Sequence, residues 1–185
     1  MLKQLSRISL VAVVPLLLLS AFSSSQERAK KDLGKKGIDY SAQAFVESAK
    51  NGDADAVKLF LAAGMKPDSR NNDGRPALMA AALSGKEAVV DELLDAGAEV
   101  NVKTREGQTP LMGAAVNGNA RIANILLARG ADSSVKDDHG FTALMYADGA
   151  EKPQVREVLV KAGTQDWHTG PLQTPANPIP LAKKK

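Results

Sequence analysis

Apolar and small residues return to the same places every 33 positions along residues 40–170. Ala56, Val89, Ile122 and Val155 form one column, and Phe60, Leu93, Leu126 and Leu159 form a second. A third runs Leu61, Leu94, Leu127, Val160. Glycines keep the same step: Gly64, Gly97, Gly130 and Gly163; Gly74, Gly107 and Gly140; Gly52, Gly85 and Gly118. No insertion breaks this register, so the chain reads as stacked copies of one supersecondary unit. The units are phased as 40–72, 73–105, 106–138 and 139–170.

Within a unit the polar and apolar positions predict two short helices. In the third unit Thr109 is suited to cap a helix, with Pro110 at its first position. That helix is expected to reach about Asn117 and to end at Gly118. A second pattern, Ala120 to Arg129, places Ile122, Ile125 and Leu126 on one stripe, the i, i+3, i+4 spacing of an amphipathic helix. Gly130 stops it, and about ten polar residues then carry a turn into His139-Gly140. Helices this short are unstable alone. Each buries its stripe only against the next unit, which gives an elongated all-α solenoid. Ala80 to Ala82 and Ala114-Ala115 let neighbouring helices approach closely.

The pattern changes at both ends. Lys3 and Arg7 precede an apolar run from Ile8 to Leu19, followed by Ser20-Ala21-Phe22-Ser23. A charged start, a short apolar core and a small-x-small site predict a cleavable signal peptide over residues 1–23. The 15 residues from Ile8 to Phe22, with Pro15 among them, fall short of the roughly 20 of a membrane-spanning helix. Residues 24–39 read as a polar, basic linker, with a partial helix the alternative, and without a clear apolar face. Trp167 is expected to pack as a lid on the last unit. Residues 171–185, with four prolines and three terminal lysines, read as an extended, disordered tail.

The third unit runs Glu106-Gly107-Gln108-Thr109-Pro110-Leu111-Met112-Gly113-Ala114-Ala115, then Gly118, then Leu126-Leu127-Ala128-Arg129-Gly130-Ala131-Asp132. This resembles the ankyrin repeat, as does Asp73-Gly74 with Leu78, Ala81-Ala82, Gly85, Leu93-Leu94 and Gly97-Ala98. A tetratricopeptide array has a 34-residue period and no such turn. The resemblance implies four ankyrin repeats joined by β-hairpin-like turns. Departures mark the ends. Met79, Met112 and Met145 stand where the family has His, and packing between repeats is their expected role, with a binding surface the alternative. Asp148 replaces the alanine of the preceding units, and Glu151 replaces a turn glycine, as in a capping repeat. Tyr40-Ser41 replaces the first Asp-Gly, and Ser41 is suited to cap its helix.

The resemblance also implies protein binding through turn tips and the concave side. At the tip leading into the second unit the positions concerned are Arg70, Asn72, Asp73 and Arg75, followed by Leu83 and Ser84. In the third they are Lys103, Arg105, Glu106 and Gln108 with Val116 and Asn117, and in the fourth Lys136, Asp138, His139 and Phe141. They are expected to be free of stacking duties, with Phe141 the best anchor, since aromatic residues and arginine are enriched at hot spots.

Composition narrows the chemistry. There is no Cys, so disulfides and thiolate metal sites are excluded. The formal charge of +3 comes from the ends, while residues 40–170 carry 14 basic and 18 acidic side chains, unlike a nucleic-acid-binding body. His139 and His168 fit no metal-ligand spacing, and no nucleophile motif or phosphate loop is present. The acidic residues Glu87, Asp91, Glu92, Asp95 and Glu99 are expected mostly on the outward helix face. The sequence therefore predicts a monomeric, non-catalytic binder of another protein in the periplasm. It would act as inhibitor, protector or adaptor without cofactor, metal or small-molecule substrate. A secreted effector acting on a host protein is the alternative. Membrane contact is left only to the basic ends.

Overall fold

The computed structural model describes residues 10–163, with side-chain surroundings from residue 23 onward. Trp167, the tail 171–185, and Lys3 and Arg7 of the expected signal lie outside the described residues. Nine helices occur among those described, in the order α1 (Leu10–Lys35), α2 (Ala42–Asn51), α3 (Ala54–Ala62), α4 (Ala77–Leu83), α5 (Glu87–Asp95), α6 (Pro110–Asn117), α7 (Ala120–Ala128), α8 (Ala143–Gly149) and α9 (Pro153–Lys161). No strand forms among them. A single isolated bridge pairs Arg70 with Pro76.

The helices stack in two rows. The inner row runs α2, α4, α6, α8, and the outer row α1, α3, α5, α7, α9, each helix packing on its neighbours in the row. Two of the three apolar columns explain this, while the third lies at the margin of the core, with Leu61 and Leu127 half-buried and Val160 exposed. Ala56, Val89, Ile122 and Val155 are fully buried, as are Phe60, Leu93, Leu126 and Leu159. One continuous core results, lined on the inner side by Ala81, Ala82, Ala114 and Ala115. Stops are as expected: Gly118 ends α6 in the left-handed conformation, and Ser41 Oγ caps α2 by accepting from Ala44 N at 3.1 Å.

The linker reading of residues 24–39 is corrected. Residues 24–35 belong to α1, which packs on α3 as a fifth outer helix. Leu33 is fully buried and Ala29 nearly so. These two do have an apolar face, but it joins the columns at a step of 27 rather than 33: Ala29 precedes Ala56, and Leu33 precedes Phe60. The helix ends confirm the alignment. Ile38 N donates to Leu33 O at 3.0 Å, just as Met65 N does to Phe60 O, Ala98 N to Leu93 O and Ala131 N to Leu126 O. The connection from α1 to α2 thus lacks the six residues of a full turn tip, and among the described residues α1 covers the first repeat without an inner partner. Lys30 Nζ adds a contact over the Tyr40 ring, 5.3 Å from its centroid.

The outer face carries ion pairs that cross from one unit to the next. Lys58 meets Glu92 at 3.5 Å, Arg121 meets Glu87 at 3.2 Å and Arg129 meets Asp95 at 2.7 Å. All three are largely exposed, so each contributes little, about 0–1 kcal/mol.

Candidate functional site

The turn tips are built by one polar side chain per unit in equivalent positions. Asn71 Oδ1 accepts from Asp73 N and Arg75 N, Thr104 Oγ1 from Glu106 N and Gln108 N, and Asp137 Oδ1 from His139 N and Phe141 N. Each side chain imitates a backbone turn. Backbone bonds close the same tips, Asn71 N to Arg75 O, Thr104 N to Gln108 O and Asp137 N to Phe141 O, at 2.9–3.1 Å. The expected hairpin-like connections are thus narrow turns rather than paired strands. Asp137 is occupied by turn building, and no group of three or more His, Cys, Asp or Glu able to hold a metal occurs among the described residues.

Tips also bind their neighbours, which corrects the expectation that they are free of stacking. Arg70 Nη1 donates to Gly74 O at 3.0 Å and to Lys103 O in the next unit. Arg105 Nη2 donates back to Asn72 O at 3.1 Å. Asp138 N donates to Glu106 O at 3.1 Å. Gly107 is needed here: its φ is +75°, and a Cβ would sit 2.7 Å from Asp138 Oδ1 and 3.1 Å from its backbone N. Asn117 lies over Gly85, again between units. Asn72, Asp73, Lys103, Lys136 and Asp138 are exposed.

A recess of about 200 Å³ opens on the concave side between the inner helices and the tips. Arg75, Leu83, Glu106, Gln108, Val116, His139 and Phe141, all anticipated from sequence, line it. Phe141 does so from within: it is 7% exposed and packs on Tyr146 with ring centroids 5.9 Å apart. It is therefore core and wall rather than the protruding anchor expected. Its place directly after the glycine of the tip turns it inward over α8.

Met79 and Met112 form part of the same lining. Packing between repeats, their expected role, is also met, since both are nearly buried. Met112 Sδ even accepts weakly from Thr109 N at 3.4 Å. Sequence reasoning missed Tyr146. It occupies the column of Ala80 and Gly113, 66 and 33 residues earlier, where those units keep a small residue. Its hydroxyl donates to Asp137 Oδ2 at 2.6 Å and accepts from Gln108 Nε2 at 2.9 Å. Burial, then the bond to Asp137, push its pKa up to about 12. At the rim, Glu106 is held below the usual carboxylate range, first by the Thr104 hydroxyl, then by its own backbone N–H, with Arg75 and Arg105 adding to this. It stays ionised beside those two cations.

Family models for ankyrin repeats (3 copies) match residues 13–104, 45–137 and 89–169. The chain belongs to the ankyrin-repeat family. The first match begins inside α1, in keeping with the packing of that helix on the array. An ankyrin array is a protein-binding scaffold, typically without catalysis, and its concave face with the adjoining tips is where this chain gathers apolar and charged side chains together. A search of curated proteins returns no match.

Proposed function

We propose that this ankyrin-repeat chain is exported to the periplasm by residues 1–23 and there binds one folded protein across its concave groove, covering it as inhibitor, protector or adaptor. The observation that carries the binding surface is the convergence of seven anticipated residues on one recess. Export rests on the charged start, apolar core and small-residue site of the first 23 residues. Among the described residues no helix is long and apolar enough to cross a membrane. Cleavage before Ser24 keeps Ala29 and Leu33, so the mature chain retains the helix over its first repeat.

The test is affinity capture with the tagged chain in the cells that make it, followed by fractionation. Wild type is expected in the periplasmic fraction with a stoichiometric partner. Val116→Glu, in the recess, should lose that partner, while Asn124→Glu on exposed α7 should keep it. Retention by Val116→Glu would remove the groove from the reading. Recovery from culture medium would replace the periplasmic assignment with secretion.

A further inference from the structure

We infer that the recess takes one large apolar side chain from a partner segment whose flanking residues are acidic. This rests on the groove being the binding surface and adds the chemistry of what enters it.

Size comes first. About 200 Å³ is smaller than the roughly 300–1,000 Å³ of small-molecule sites. It suits a side chain presented by a protein. The floor then selects its polarity. Met79, Met112, Val116 and Phe141 supply apolar surface, and the Tyr146 hydroxyl is engaged on both sides by Asp137 and Gln108. No buried side-chain nitrogen or oxygen among the described residues lacks a hydrogen-bond partner. A polar anchor set on the methionines, Val116 and Phe141 would lose its water and find no partner among them, whereas an apolar anchor loses nothing. The two methionines are unbranched and polarizable, so the floor can fit side chains of several shapes.

Charge sets the flanks. Residues 40–163 carry 14 basic and 17 acidic side chains. The tips of the second and third units reverse that balance, with Arg70, Arg75, Lys103 and Arg105 against Asp73 and Glu106. Positive charge is thus gathered at these two tips, whose Arg75 and Glu106 reach the recess lining, while the fourth-unit tip, with Lys136 against Asp137 and Asp138, keeps the negative balance of the body. Such an arrangement favours an acidic flank on the side of the second and third tips.

A phage-displayed library of random peptides, selected on the purified full-length chain, tests this. Enriched peptides should carry Leu, Ile, Phe or Trp beside Asp or Glu. Their affinity should fall by about tenfold or more with Val116→Glu and with Leu83→Glu, two recess variants whose folding circular dichroism verifies. Selection on Arg75→Glu should lose the acidic flanks or exchange them for basic ones. Peptides that bind both recess variants as well as wild type would overturn the groove reading itself. Peptides lost in those variants but without acidic flanks, or indifferent to Arg75→Glu, overturn the inferred chemistry and leave the groove standing. A library that yields no binder overturns both.

Discussion

The two ends of the array answer one problem, an exposed repeat face, in different ways. At the amino-terminal end the chain breaks its period. The tip is shortened and a lone outer helix, α1, lays Ala29 and Leu33 on the apolar columns. At the carboxyl-terminal end the period is kept and the side chains change. Asp148, bonded by Arg156 Nε at 3.0 Å, stands where Ala82 and Ala115 are buried, and Glu151 takes a glycine's place at φ +55°. The first solution removes apolar surface by covering it. The second sets a paired, mostly covered carboxylate and a charged turn residue where the earlier units have alanine and glycine. Repeat arrays need polar terminal faces, and this chain shows that geometry and composition are interchangeable means to one.

This contrast can be broken at four places. Leu33→Ala should have the largest effect, a loss of about 2–4 kcal/mol, because it hollows a fully buried position. Urea denaturation reads the loss, and hydrogen exchange should show α2 and α3 deprotected first. A change too small to measure would return residues 24–39 to the role of spacer. Ala114→Leu, in the uniform middle, should cost about 1–3 kcal/mol by overpacking, with exchange rising in the units on both sides rather than one.

Tyr146→Phe comes third, at about 1–2 kcal/mol, since it strips a partner from Asp137 and Gln108. It also has a pH signature. The folded pKa of about 12 lies above the ordinary value of 10, so the unfolded chain ionises first. The stabilisation is complete below pH 10 and is lost as pH rises toward 12. Denaturation midpoints across that window should decline in wild type more steeply than in Tyr146→Phe. Equal slopes would refute the buried phenol. Smallest is Glu151→Gly, which should raise stability by about 0.5–1 kcal/mol by relieving a left-handed backbone. A lower melting temperature would show that the fourth unit gains from glutamate in ways its backbone does not reveal.

The periodic part of the fold was readable because each helix repeats the same apolar register, and Gly118, Gly130 and Ser41 stop or cap helices through purely local chemistry. α1 was not readable from a strict period, since six absent residues shift Ala29 and Leu33 out of step and, among the side chains of α1 that are described, these two alone are buried and apolar. A gapped comparison of helix ends would have found them, because Leu33-x-x-x-Gly37 matches Phe60-x-x-x-Gly64. In the site, position within the unit identified lining residues correctly, but it carried no information on direction. Phe141 faces inward because Tyr146 and Asp137 draw it there, and both lie in the same unit as a network that sequence spacing does not display. Arg70 and Arg105 look like free surface charges until the neighbouring carbonyls of Lys103 and Asn72 come within reach.

The column Ala80, Gly113, Tyr146 carries one more consequence. A Cβ on Gly113 would already press Met79 Sδ at 3.1 Å and Leu83 N at 3.3 Å, whereas the next unit places a full phenol ring in that register. The backbones are near copies, so the relief of the concave face is written in side-chain bulk alone. The hollow ends at the fourth unit, like a blind alley, because one step in the column grows from nothing to a ring. An array of this kind moves or fills its hollow by exchanging residues along a single column, where Met79 and the backbone at Leu83 have to give way as bulk is added.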